Sequence, residues 1–170
     1  MGAIIAEAAD RLEGDWVLVG GGAAALWFDA ARMTEDVDLV PVSPDPAARY
    51  QLLDLADALG VPVEALNSAA DFFLRRLDGW QDDLVLVSEG RRGRVFRPGP
   101  ALFLRLKLRR LSALDLADCE GLLDHLAREG TGFDARPVLA ELDALASTAD
   151  AELDARRARL RERLVRAGCG

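Results

Sequence analysis

Residues 15–42, DWVLVGGGAAALWFDAARMTEDVDLVPV, decide how the chain folds. Asp15-Trp16-Val17-Leu18-Val19 is a short apolar run entering Gly20-Gly21-Gly22, the pattern of a buried strand that stops at a tight turn. Residues 23–31 follow with a helix-forming composition and no breaker. Asp36-Val37-Asp38-Leu39-Val40-Pro41-Val42 then alternates polar and apolar side chains, a strand pattern stopped by Pro44. A strand, a glycine turn, a helix and a second strand therefore sit at the centre of the domain.

The rest of the chain extends this pattern. Residues 4–12 have helical spacing and end at Gly14, and Asp45-Pro46 opens a helix that runs to Leu59 with Gly60 at its end. Residues 61–77 read as a loop with a short helix around 69–76. Leu84-Val85-Leu86-Val87 is a third strand, and residues 90–93 turn it into Val95-Phe96-Arg97. From there the chain is helical: 101–111, 116–128, 137–146 and 149–167, with a break at Gly130-Thr131-Gly132. Strands alternating with helices, followed by helices alone, predict an α/β (α+β) fold, a small mixed sheet flanked by helices with a helical C-terminal part. The expected organisation is a core over 1–130 and a helical extension over 131–170.

Bulk properties narrow the class. The chain has 170 residues, 51% of them hydrophobic, enough for a substantial core and too many for disorder. No run approaches the roughly 18 to 20 apolar residues of a membrane span, and residues 1–10 lack the basic leader of a signal peptide. Two cysteines, Cys119 and Cys169, form no disulfide framework and suit a reducing cytoplasm. Cys119 is expected on a buried helix face. The net charge of −8 weighs against a general nucleic-acid surface, yet Arg91 to Arg110 holds eight basic residues and no acid, and a second basic cluster spans 156–166. The second cluster reads as a solvated helix face. The turn around Arg91–Arg97 reads as a solvated hairpin or as a phosphate contact on the acceptor side.

The candidate site lies in the opening stretch. Three glycines after a buried strand let a backbone approach an anion, and the helix that follows offers free N–H groups and a partial positive charge. The spacing matches neither the P-loop nor the dinucleotide fingerprint, so a plain structural turn remains open. Asp36 and Asp38 add a second feature. Two apart on a strand, their Cα atoms are about 6.6 Å apart and their side chains share a face. Paired carboxylates repel, and a bound cation relieves the repulsion; an all-oxygen donor set suits Mg²⁺ or Mn²⁺. An exposed acidic turn before the strand, which Glu35 would extend, is the alternative. His125, the only histidine, lies among leucines on its helix and reads as structural. Trp16, Trp27 and Trp80 read as packing residues, and no serine has a His/Asp pairing that would support hydrolysis.

Val19-Gly20-Gly21-Gly22-Ala23 followed by Arg32-Met33-Thr34-Glu35-Asp36-Val37-Asp38-Leu39 resembles the signature of the nucleotidyltransferase superfamily. Its R-x-T-x-D-x-D form is similar to the AbiEii-type toxins and related uncharacterised bacterial nucleotidyltransferase-like proteins. Leu106-Lys107-Leu108 with residues 115–123 resembles a later motif of that branch, and Leu66-Asn67-Ser68-Ala69-Ala70 and Gly79-Trp80 are similar to further members. The likeness covers 16–123.

The resemblance implies metal-dependent phosphoryl transfer. Gly20 and Gly21 would hold the triphosphate of an NTP, with Arg32 and Thr34 positioning nucleotide or phosphates. Asp36 and Asp38 would coordinate Mg²⁺ (or Mn²⁺), Lys107 would contact phosphate, and Asp118 would be a further acid of the catalytic set. A nucleoside monophosphate would pass to a hydroxyl of RNA, tRNA included, or of a protein. The toxin half of a toxin–antitoxin pair, with an antitoxin protein as partner, is the corresponding role. Ser112 and Leu114 stand where the branch usually carries arginines, and the third carboxylate falls to Asp83 or Asp118. These departures support a second reading, a catalytically degenerate module that binds nucleotide or a partner protein. A purely structural α/β domain is a third.

Overall fold

The structure, a computed structural model, describes residues 1–34 and 36–167. Glu35 and Cys169, both named above, lie outside the described residues. The described residues form eight α-helices and a five-stranded mixed sheet, as the alternation of patterns predicts. They divide into two compact units, Met1–Gly99 and Pro100–Gly170. The first unit holds the whole sheet and the second is entirely helical; the expected 1–130 core takes in the first unit and the first two helices of the second.

In the first unit, α1 (Gly2–Arg11) leads into β1 (Gly14–Val19), whose last four residues, Trp16 to Val19, are buried. Helix α2 (Gly20–Trp27) follows without a linker. The helix begins at the glycines themselves, three residues earlier than composition predicts, because Gly20 takes the left-handed conformation (φ 65°) that makes the turn in one residue. Strand β2 (Val37–Pro41) runs antiparallel to β1, with Val19 opposite Asp38 and Leu18 opposite Leu39. Helix α3 (Ala48–Leu59) ends at Gly60, also left-handed (φ 64°).

Residues 61–77, which the pattern leaves as a loop and short helix, contain a two-residue strand β3 (Leu66–Asn67) and a one-turn helix α4 (Asp71–Leu74). Strand β3 is too short to show a period. It is parallel to β2, with Leu66 beside Val37 and Asn67 beside Asp38. Strands β4 (Leu84–Glu89) and β5 (Gly93–Pro98) form the expected hairpin, and β5 lies parallel to β1. The sheet order is β3-β2-β1-β5-β4. Trp16 and Trp80 are buried, as expected, while the guanidinium of Arg97 stacks 3.6 Å over the ring of the half-buried Trp27. Burial lowers the pKa of Arg97, with the charge of Asp83 opposing the shift.

The second unit consists of α5 (Pro100–Leu108), α6 (Ala113–Glu129), α7 (Arg136–Ala144) and α8 (Ala151–Ala167). Helix α6 starts in a capping box: the Ser112 hydroxyl accepts from Asp115 N–H and the Asp115 carboxylate accepts from Ser112 N–H. The residue before it, Leu111, is fully buried at φ 34°, a costly conformation for a leucine. Its carbonyl accepts from Arg156 Nε at 2.7 Å, so α8 fixes the strained turn. The basic cluster of α8 does not form a free positive face. Arg159 makes a two-bond pair with Glu120, Arg163 pairs with Asp124, and Arg161 with Asp143, tying α8 to α6 and α7. None of the described helices is long and apolar enough to cross a membrane.

Candidate functional site

Six of the eight residues singled out in the sequence lie in the first unit and converge there. The antiparallel register places Asp38 across from Val19, so its carboxylate reaches the turn that begins at Gly20. A Cβ added to Gly20 would come 2.9 Å from Asp38 Oδ2. A Cβ on Gly21 would sit 3.1 Å from Thr34 Oγ1 and 3.2 Å from Arg32 Nη2. The glycine turn is thus walled by a carboxylate on one side and by a hydroxyl and a guanidinium on the other. Thr34 donates its hydroxyl hydrogen to the carbonyl oxygen of Asp36 at 2.9 Å, and Arg32 donates to the Met33 carbonyl. These bonds shape the segment that leads into β2.

Asp36 stands exposed just before β2, and Asp38 is half-buried within it. Leu39 and Val40, next along the strand, are fully buried and anchor the pair to the core. A neighbour that sequence reasoning assigned no role is Asn67. Its Nδ2 donates to Asp36 Oδ2 at 3.3 Å, and its Oδ1 accepts from Ala69 N–H at 2.9 Å. An asparagine two residues before a backbone N–H is a turn signal; its contact with Asp36 depends on the strand pairing and is invisible in the sequence.

Asp36 and Asp38 offer oxygen donors only, the type a hard divalent cation takes. Two carboxylates lie at one strand end, and the Asp38, Thr34 and Arg32 side chains close on the adjoining turn where Gly20 and Gly21 lack a Cβ. Val19, which precedes α2, has no side chain able to cap it, and the first turn of α2 contains no acid to occupy its N–H groups. Among the described residues no group of three or more His, Cys, Asp or Glu side chains is arranged to hold a metal.

The other two, Lys107 and Asp118, lie in the second unit and pair with each other. Lys107 Nζ is 2.8 Å from Asp118 Oδ2 and 3.2 Å from Asp115 Oδ1, and all three side chains are under a tenth exposed. Arg110 completes the cluster with two bonds to Asp115, at 2.7 and 2.8 Å. Burial alone would raise the Asp115 carboxyl. The Arg110 hydrogen bonds, the Lys107 charge and the Ser112 hydroxyl outweigh it and hold the group far below the usual carboxylate range. Ser112 caps α6, and Leu114 is exposed. Cys119 is fully buried beside this cluster in sequence, and burial pushes its thiol up to about 12.

Two open clefts of about 340 and 330 Å³ are lined by Arg11, Arg92 and neighbouring residues, and neither includes a residue of the glycine–aspartate site. Their cations are already matched: Arg11 pairs with Glu7, Arg92 with Glu13 and Arg91 with Asp10; outside the clefts, Arg94 grips Asp15 through two bonds. The acid-free stretch at 91–94 is therefore matched in space, because Asp10, Glu13 and Asp15 come back to Arg91, Arg92 and Arg94. At the glycine–aspartate site, by contrast, a carboxylate, a hydroxyl and a guanidinium converge on one turn. No protein-family model matches the chain, and no curated protein or solved structure matches it either.

Proposed function

We propose that the chain is a Mg²⁺-dependent nucleotidyltransferase-like protein that binds a nucleoside triphosphate at the Gly20–Gly21 turn. The observation that carries this reading is the contact between that turn and Asp38, which a single Cβ would obstruct. In this reading Asp36 and Asp38 hold the cation, and the N–H groups at the start of α2 face the phosphates. Arg32, against Gly21, supplies a guanidinium to the same anion, and Thr34 fixes the segment that presents Asp36. The cation, when bound, supplies neutralisation of the charge that develops on the phosphates. An acceptor hydroxyl oxygen then bonds to the α-phosphorus as the bond to pyrophosphate breaks, and the hydroxyl proton is released. The acceptor class is RNA, tRNA included, or protein, and the corresponding cellular role is a cytoplasmic toxin held by an antitoxin.

The experiment is incubation of the protein with Mg²⁺, total tRNA or cell proteins, and NTPs labelled at the α- or the γ-phosphate. Transfer of the α label and not the γ label to an acceptor supports the reading. Transfer of neither from any NTP removes the catalytic part of it.

A specific observation favours the second reading, a degenerate module that binds nucleotide or a partner without transfer. Lys107, whose expected role is to contact phosphate, already donates to two buried carboxylates. Binding of nucleotide with Mg²⁺ but no transfer to either acceptor class separates this reading from the first.

A further inference from the structure

Resting on the nucleotide-and-cation reading above, we infer that Asn67 is the positioning residue of the Asp36/Asp38 pair, and that its amide keeps the pair from holding a bare divalent cation without phosphates. The amide is clamped at both ends. Asn67 Oδ1 accepts from Ala69 N–H at 2.9 Å, which settles which end of the side chain is oxygen, since only that end can accept. Nδ2 is thereby aimed at Asp36 and donates to its Oδ2 at 3.3 Å. One oxygen of Asp36 therefore accepts from the amide, which biases how the carboxylate is oriented.

The register sharpens the point. Strand β3 is parallel to β2 and places Asn67 directly beside Asp38. Neighbours in register on paired strands present their side chains to the same face. Asn67 thus occupies the position from which a carboxylate would join Asp36 and Asp38 around a cation. Its nitrogen cannot ligate a cation, and its oxygen, which already accepts from Ala69 N–H, carries no negative charge to offer one. The number of charged ligands sets how tightly a site holds a hard cation, because each must repay the water the ion gives up. With an amide here, the remaining negative charge must come from the ligand, so cation and triphosphate enter together. The glycine turn beside Asp38 is where that triphosphate would lie.

The test titrates Mn²⁺ into wild type, Asn67→Ala and Asn67→Asp, following the free ion by electron paramagnetic resonance. Each titration is run with Mn²⁺ alone and with the β,γ-imido analogues of the four ribonucleoside triphosphates. Circular dichroism and melting curves check that each variant is folded. For Mn²⁺ alone the inference expects weak binding by wild type and binding at least tenfold tighter by Asn67→Asp. The metal-free melting temperature of Asn67→Asp falls, because it sets a third carboxylate against Asp36, and added Mn²⁺ restores it. Asn67→Ala melts near wild type but holds the Mn²⁺–nucleotide complex roughly tenfold or more less tightly, the usual size of an outer-shell effect.

Opposite effects of Ala and Asp at one position are not what a merely structural asparagine would give. Wild type that binds Mn²⁺ alone as tightly as Mn²⁺ with nucleotide overturns the inference, as does an Asn67→Asp protein with no gain for the bare ion. Failure of wild type to take up any analogue overturns the nucleotide reading instead, and the bare-ion titrations tell the two failures apart.

Discussion

Replacing Gly20 with alanine separates the two demands placed on that residue. Gly20 has φ 65°, where an L side chain costs about 1 to 2 kcal/mol, and its new Cβ would stand 2.9 Å from Asp38 Oδ2. Gly60 has almost the same φ, 64°, but open space around its would-be Cβ, so Gly60→Ala carries the backbone cost alone. The obstructing atom at Gly20 is the tip of a side chain. Asp38 can swing aside, so the two variants should lose similar stability, about 1 to 2 kcal/mol and a few degrees in Tm. The functional cost differs. The Asp38 carboxylate must retreat roughly half an ångström to regain ordinary contact, more than the ~0.2 Å by which metal–oxygen distances vary. Metal-dependent nucleotide binding should therefore weaken about tenfold or more in Gly20→Ala and stay unchanged in Gly60→Ala. Melting curves and calorimetric titration on the same preparations read both quantities. Equal nucleotide binding by the two variants would refute the reasoning, as would a Gly20→Ala protein as stable as wild type.

Lys107→Met should destabilise the chain by about 3 to 5 kcal/mol in urea unfolding, because it removes the buried ammonium that bonds both Asp118 and Asp115; Lys107→Met combined with Asp118→Leu should recover most of the loss. A neutral Lys107→Met would show that the pair is not what holds α5 to α6. Asp115 has its pKa depressed in the folded chain, so its contribution to stability is complete above the ordinary carboxylate value of 3.8 and is lost as pH falls towards the lower folded value. Urea unfolding from pH 6 down to 2.5 should therefore show a decline that flattens in Asp115→Asn, and parallel profiles would contradict this. In a Cys169→Ser background the remaining thiol, Cys119, should resist a disulfide reagent at pH 8 until denaturant is added, since burial holds it protonated up to about 12.

Much of the fold was readable because long elements leave a period. Residues 15–19, 84–87 and 95–97 show strand patterning, and the four C-terminal helices show helical spacing with recognisable stops, so both the mixed sheet and its helical continuation follow from the chain. Strand β3 was not readable: two residues have no period, and their strand character comes from pairing with Val37 and Asp38. The same limit hid the contact of Asn67 with Asp36, 31 positions away. The glycines and Asp38 could be named from composition and spacing, but only the antiparallel register brings them together. Charge was the most misleading signal. In one dimension the run at 91–110 is basic without an acid, and the run at 156–166 reads as a solvated helix face. Acids distant in sequence, Asp10, Glu13 and Asp15 for the first and Glu120, Asp124 and Asp143 for the second, neutralise many of them in the folded units.

The most direct test of the central claim is calorimetric titration of the four NTPs, with and without Mg²⁺, into wild type and the Asp36→Asn/Asp38→Asn double variant. The account predicts Mg²⁺-dependent binding of at least one NTP by wild type and its loss in the double variant. The double variant should remain folded, with a metal-free melting temperature close to that of wild type, because Asn keeps the size of Asp at both positions. Nucleotide binding that survives in the double variant, or that ignores Mg²⁺ in wild type, would contradict the assignment of Asp36 and Asp38.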